Sequence, residues 1–236
     1  MNSVSSSYIK SKKVLQGKLL KYISSDDGTE ENYENLKNCM KDQNIYENKS
    51  ELKILLYMIT NISNFLLRPV NFFEKLEKII LNFKDIIINQ FTNDEIYQIF
   101  QTSNRLLLFL IDENIFTIDK KIYLLNKNNQ DFLLYFYPEV AKFIEKNAKL
   151  RIYGCDKIIE NIKNNEEEFL QKRKVGENDS YICELIRKDD ISNFIIHIEK
   201  NLISINSSIK SSIYETNIPL KKLSSQHNNK GQELNI

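Results

Sequence analysis

The stretch from Asn48 to Ile62, NKSELKILLYMITNI, decides the fold class. Leu52, Leu55, Leu56, Ile59 and Ile62 recur at spacings of three and four, the period of a helix with one apolar face. Asn48 stands three residues before Glu51, which resembles a capping box with Asn in the capping role. The same grammar repeats on both sides. Upstream, Tyr8–Ile23 carries Val14, Leu15, Leu19, Tyr22 and Ile23. A second helix from Thr29 carries Tyr33, Leu36, Cys39 and Met40 behind Glu30 and Glu31, acids placed where the helix dipole favours them. Downstream, Pro69 suits a first helical turn, and Phe72 to Ile87 reads as one long helix. Thr92 and Glu95 form a cleaner capping box ahead of Ile96, Ile99 and Phe100. Asn104 is expected to cap Arg105–Glu113, which is apolar nearly all round and therefore central. Shorter helices are expected over Asp119–Asn126, Gln130–Tyr137 and Pro138–Lys146, then a charged one over Asp156–Lys174. Isoleucine also suits strands, but length, caps and charge order favour helices. The expected fold is all-α, an irregular bundle or solenoid of helix pairs.

Composition narrows the function classes. The 236 residues carry a net charge of +1, so no whole-chain attraction to nucleic acid or an anionic membrane is expected, although a local patch is compatible with it. Five Gly and three Pro argue against a turn-rich β-sandwich and supply no glycine phosphate loop. The longest obvious apolar run, Leu106–Ile111, is far short of the roughly 18 residues a spanning helix needs. Met1–Ser7 is polar and Tyr8–Lys13 basic, with no apolar segment behind them, so no signal peptide is expected. Cys39, Cys155 and Cys183 are odd in number and widely spaced, giving neither a disulfide framework nor a zinc knuckle. The expected location is the cytoplasm, with the nucleus as the alternative.

Gly176 is the expected module boundary. Behind it come Ile182, Leu185 and Ile186, a polar step Arg187-Lys188-Asp189-Asp190, then Ile191, Phe194, Ile195 and Ile198. Two short helices joined by a tight turn would bring these apolar residues together, the shape of an ankyrin helix pair. The run Lys174-Val175-Gly176-Glu177-Asn178-Asp179-Ser180-Tyr181-Ile182-Cys183-Glu184-Leu185-Ile186-Arg187 resembles the hallmark segment of the trichomonad ankyrin-repeat proteins. Leu19–Ile23, Arg105–Glu113, Tyr137-Pro138-Glu139 and Ser212–Asn217 resemble that family as well, so the similarity spans about Leu15 to Asn217. Two features of the helix pair depart from a standard ankyrin repeat: the Thr-Pro-Leu-His opening is absent, and Asp189 stands where ankyrin repeats commonly have glycine. The resemblance implies a helical region of unknown function before ankyrin repeats, here truncated, since a polar stretch, Ile218–Ile236, replaces the array. The expected organisation is an N-terminal helical domain over 1–175, an ankyrin-like pair over 176–217 and a flexible tail over 218–236.

Chemistry-bearing residues are sparse. Cys183 and His197 are the one pair that invites a nucleophile–base reading, yet Cys183 lies on an apolar stripe with no oxyanion loop nearby. His197 and His227 with scattered cysteines give no zinc spacing, and no calcium loop is present. Lys172-Arg173-Lys174 and the lysines from Lys10 to Lys21 read as solvated helix faces. No catalytic residue, cofactor or metal site is therefore expected, and the chain reads as a non-enzymatic scaffold or adaptor. That function follows mainly from the resemblance. Leu185, Ile186, Phe194, Ile195 and Ile198 are the candidate interaction residues for an unknown protein partner. If Leu185, Ile186, Phe194 and Ile198 face the preceding helices, Phe194→Ala would cost about 3–5 kcal/mol. The alternatives are a basic-patch binder of nucleic acid (disfavoured) or of anionic membrane, and a non-functional gene fragment. The sequence leaves the oligomeric state open.

Overall fold

A computed structural model describes residues 2–25, 29–64, 71–145, 156–176 and 181–201, together with 203, 212 and 214. All secondary structure among them is helical. The chain opens with a pair, α1 (Asn2–Ser24) and α2 (Thr29–Asp42), whose apolar stripes meet with the Tyr22 and Tyr33 rings 5.0 Å apart. Gln43 ties the far end of the pair, donating to the Ser11 carbonyl at 3.0 Å and accepting from Lys12 at 2.9 Å.

Asn48 caps α3 (Lys49–Ile62) by accepting from the Ser50 and Glu51 amides. The reciprocal half of the expected box is absent, because the Glu51 carboxylate is held by Lys12 and Tyr8 of α1. The box at Thr92 is complete in both directions and opens α6 (Asn93–Phe100). Its Glu95 also pairs with Lys49 at 2.9 Å, locking α6 to α3. Pro69 lies outside the described residues.

The expected long helix from Phe72 to Ile87 is two helices, α4 (Phe72–Leu81) and α5 (Lys84–Gln90). Phe83 sits between them at φ −111°, ψ 7°, fully buried with its ring 4.8 Å from Tyr46. The break seats that ring in the core, while Asn82 binds back to the Lys78 carbonyl at 3.0 Å. On α4, the buried Lys75 ammonium donates to the Ile23 and Ser25 carbonyls at 3.1 and 2.6 Å. A cation at the negative end of α1 is favourable there.

α7 (Asn104–Asp112) is central as expected: Leu106 to Leu110 are all buried. Its N-cap is Ser103 rather than Asn104, and the Ser103 hydroxyl makes no cap bond because it accepts from Ser63 at 2.8 Å. α8 (Lys120–Leu125) starts behind Asp119, and α9 (Gln130–Tyr135) and α10 (Tyr137–Glu145) flank Phe136. Asn126 donates to the Tyr97 hydroxyl at 2.7 Å and so binds the end of α8 to α6.

The expected charged helix over Asp156–Lys174 is also broken, into α11 (Asp156–Asn164) and α12 (Glu166–Val175). Asn165 at the break spends its side chain on the Asn161 carbonyl, 3.1 Å away, which competes with helix propagation. Phe169 and Arg173 of α12 are buried. One apolar cluster runs without interruption from Leu15 of α1 to Phe169 of α12.

Gly176 ends α12 at φ +70°, a left-handed conformation that favours glycine, and any Cβ there would meet the Arg105 side chain at 3.0 Å. Both facts favour glycine. The expected tail over 218–236 lies outside the described residues, as do Gly154, Cys155 and His227. No described helix is long and apolar enough to cross a membrane.

Candidate interaction surface

The last described helices, α13 (Tyr181–Arg187) and α14 (Ile191–Lys200), form the hairpin that the apolar spacing predicts. Its turn is built by local bonds. Asp189 takes φ +52°, the left-handed position expected of glycine; a short polar side chain tolerates it better than most. The Asp190 amide donates to the Leu185 carbonyl at 3.0 Å and closes α13. The Asp190 carboxylate then caps α14, accepting from the Asn193 amide at 3.1 Å and its side chain at 2.8 Å. Those bonds, the side-chain one foremost, hold the Asp190 carboxyl below the usual carboxylate range. Lys188 reaches back to Glu184 at 2.6 Å across an exposed turn.

The five candidate residues divide. Leu185 is buried, Ile186, Phe194 and Ile198 are half-buried, and Ile195 is 49 % exposed. No residue of α14 is buried, although Ile and Phe occupy half of its ten positions. Phe194 is therefore not the fully buried ring that a cost of 3–5 kcal/mol requires. At 100° per residue, Ile191, Phe194, Ile195 and Ile198 share one stripe of α14. α13 covers its Phe194–Ile198 flank and leaves Ile191 and Ile195 open, at 63 % and 49 % exposure. Ile196, outside the stripe and missed by sequence reasoning, is 58 % exposed as well. Between the helices lies an apolar groove of about 150 Å³ lined by Leu185, Ile186, Asp189, Asp190, Ile191 and Phe194.

Cys183 is fully buried, and His197 packs its ring on Tyr181 at 4.9 Å and faces Asn201 through Nδ1 at 3.2 Å. Among the described residues, no group of three His, Cys, Asp or Glu is placed to hold a metal ion.

The basic run Lys172-Arg173-Lys174 is not one solvated face. Arg173 is 3 % exposed: its guanidinium grips Glu139 in bidentate fashion at 2.6 and 3.0 Å and donates to the Tyr135 carbonyl at 3.1 Å. In return the Tyr135 hydroxyl donates to the Arg173 carbonyl at 2.8 Å. Lys172 pairs with Glu168, and Lys174 approaches Asp112 at 3.6 Å. This clamp fixes α12 on α9 and α10, and so sets the platform from which Gly176 leads to the hairpin. Tyr214 returns to the same platform, its ring 5.8 Å from Phe169.

Comparison with protein-family models, with curated proteins and with solved structures returns no match.

Proposed function

We propose that the chain is a non-enzymatic protein-interaction module, a scaffold or adaptor, that docks a partner through α14. The observation that carries this reading is a helix with five large apolar side chains and no buried residue, lying at the end of an otherwise continuous core. Isolated exposed apolar residues are ordinary, but Ile191, Ile195 and Ile196 lie together on one short helix. The resemblance to helical regions that precede ankyrin repeats supports the same reading. In such arrays each helix pair is stabilised by the pair stacked on it. A helical partner with an apolar face therefore suits α14.

The test is a comparison between wild type and Ile195→Asp in affinity capture followed by quantification of retained proteins. Ile195 is exposed, so its replacement should leave the melting temperature within about 2 °C, as surface changes usually do. Proteins retained by wild type should be lost from the variant. If both retain the same set, α14 is not the docking helix. Rapid labelling of Cys183 in the native protein by a thiol probe would instead favour an enzymatic reading.

A further inference from the structure

α1 contains five lysines and no acidic residue over Asn2–Ser24. Lys12 turns inward to Glu51, whereas Lys10, Lys13, Lys18 and Lys21 enter no ion pair among the described residues. At 100° per residue, Ile9, Lys10, Lys13, Val14, Gly17 and Lys21 fall on the face opposite the buried Leu15, Leu19 and Tyr22. Ile9 is 53 % and Val14 47 % exposed on this face. α2 packs on the other side, where Tyr33 meets Tyr22. A Cβ added at Gly17 would meet nothing within 4 Å, so no neighbour in the fold demands a glycine in this helix interior.

We infer that this face of α1 lies on an anionic lipid surface, its lysines among the headgroups and Ile9 and Val14 entering the acyl boundary. Charge complementarity names the occupant. Lysines gathered on one face are drawn to anionic headgroups, and Ile9 and Val14, at the two edges of that face, add apolar contact beneath them. Nucleic acid fits less well: phosphate contacts would use the lysines but leave Ile9 and Val14 idle, and no aromatic ring on this face is free to stack on a base. Tyr8, the nearest ring, is engaged with Glu51 and lies under the Lys12 ammonium at 5.1 Å. The surface is separate from α14, so either can fail without the other.

The test is co-sedimentation of the full chain with phosphatidylcholine vesicles, with and without phosphatidylserine, at low and physiological salt. Wild type should pellet only with the anionic vesicles and should be released by salt. Each lysine near such a surface contributes about fivefold in affinity, so replacing Lys10, Lys13 and Lys21 together by Gln should weaken binding on the order of a hundredfold. These three side chains are exposed, and an unchanged circular dichroism spectrum confirms that the fold survives. Ile9→Ser with Val14→Ser should weaken binding while leaving its salt dependence intact. Pelleting that ignores phosphatidylserine, or that persists in the triple-Gln variant, overturns the inference. So does tight binding of a DNA oligonucleotide at the same salt through the same three lysines, with vesicles left unbound.

Discussion

Glu139→Ala isolates the clamp that fixes α12. Arg173 is almost completely buried, and its charge is balanced by one carboxylate held in two bonds of 2.6 and 3.0 Å. Removing one partner of a buried pair leaves an uncompensated charge, which costs about 3–5 kcal/mol. Glu139 keeps 19 % of its side chain in contact with solvent, so the lower end, about 3 kcal/mol, applies. For a chain of this size that lowers the melting temperature by roughly 6–12 °C. The assay is thermal and urea unfolding at neutral pH, followed by far-UV circular dichroism. Glu168→Ala is the control, since its pair with Lys172 is surface-exposed and should contribute less than about 1 kcal/mol. Glu139→Leu combined with Arg173→Met should recover much of the loss, because an apolar pair needs no counter-ion. The reasoning is refuted if Glu139→Ala costs under about 1 kcal/mol, or if the double variant is no more stable than the single.

Two further outcomes follow from burial and charge. In the hairpin, Leu185→Ala should cost about 2–5 kcal/mol and Phe194→Ala only about 1–2, because Leu185 is 4 % exposed and the ring only half-buried; a larger loss at Phe194 would show that α14 packs more deeply. At α6, the Lys49 ammonium and then the Thr92 amide hold the Glu95 carboxyl down at about 2, against an ordinary 4.5. A carboxyl depressed in the folded state adds stability that is complete above its unfolded value and fades as pH falls towards its folded one. The melting-temperature gap between wild type and Glu95→Gln should therefore be widest above pH 4.5 and close towards pH 2; a gap constant across that range would contradict it.

The helices were legible because their apolar faces recur at one period, and because caps such as Thr92 and Asp119 sit where side chains satisfy free amides. The interior breaks were not. Breaks are ordinarily announced by Gly or Pro, and this chain punctuates with asparagine instead. Asn44, Asn71 and Asn114 hold left-handed turns, Asn82 and Asn165 mark breaks, yet Asn48 and Asn129 cap helices. One residue type in three roles cannot be sorted by spacing. The clamp was hidden for a related reason, since Arg173 sits in a basic run that reads as solvated. Its signal was chemical: the chain has only five arginines among 33 basic residues, and a planar guanidinium suits a buried carboxylate where lysine does not. Arg105, paired with Glu77 at 2.6 Å, follows the same logic.

The site was legible as a hairpin but not as a surface. Apolar spacing states that a face needs covering and is silent about how much of it the fold covers. α13 is seven residues long and lies on one flank of α14, so it cannot bury a stripe that also includes Ile191 and Ile195. The basic face of α1 poses the opposite case, where balanced total charge conceals a helix with no acid at all. The two faces differ in physics. Contact through α14 would be apolar and hold as salt rises, whereas contact through α1 would be screened by it. A protein with both would join a salt-resistant partner to a salt-sensitive surface, and raising ionic strength should release the second while the first remains bound.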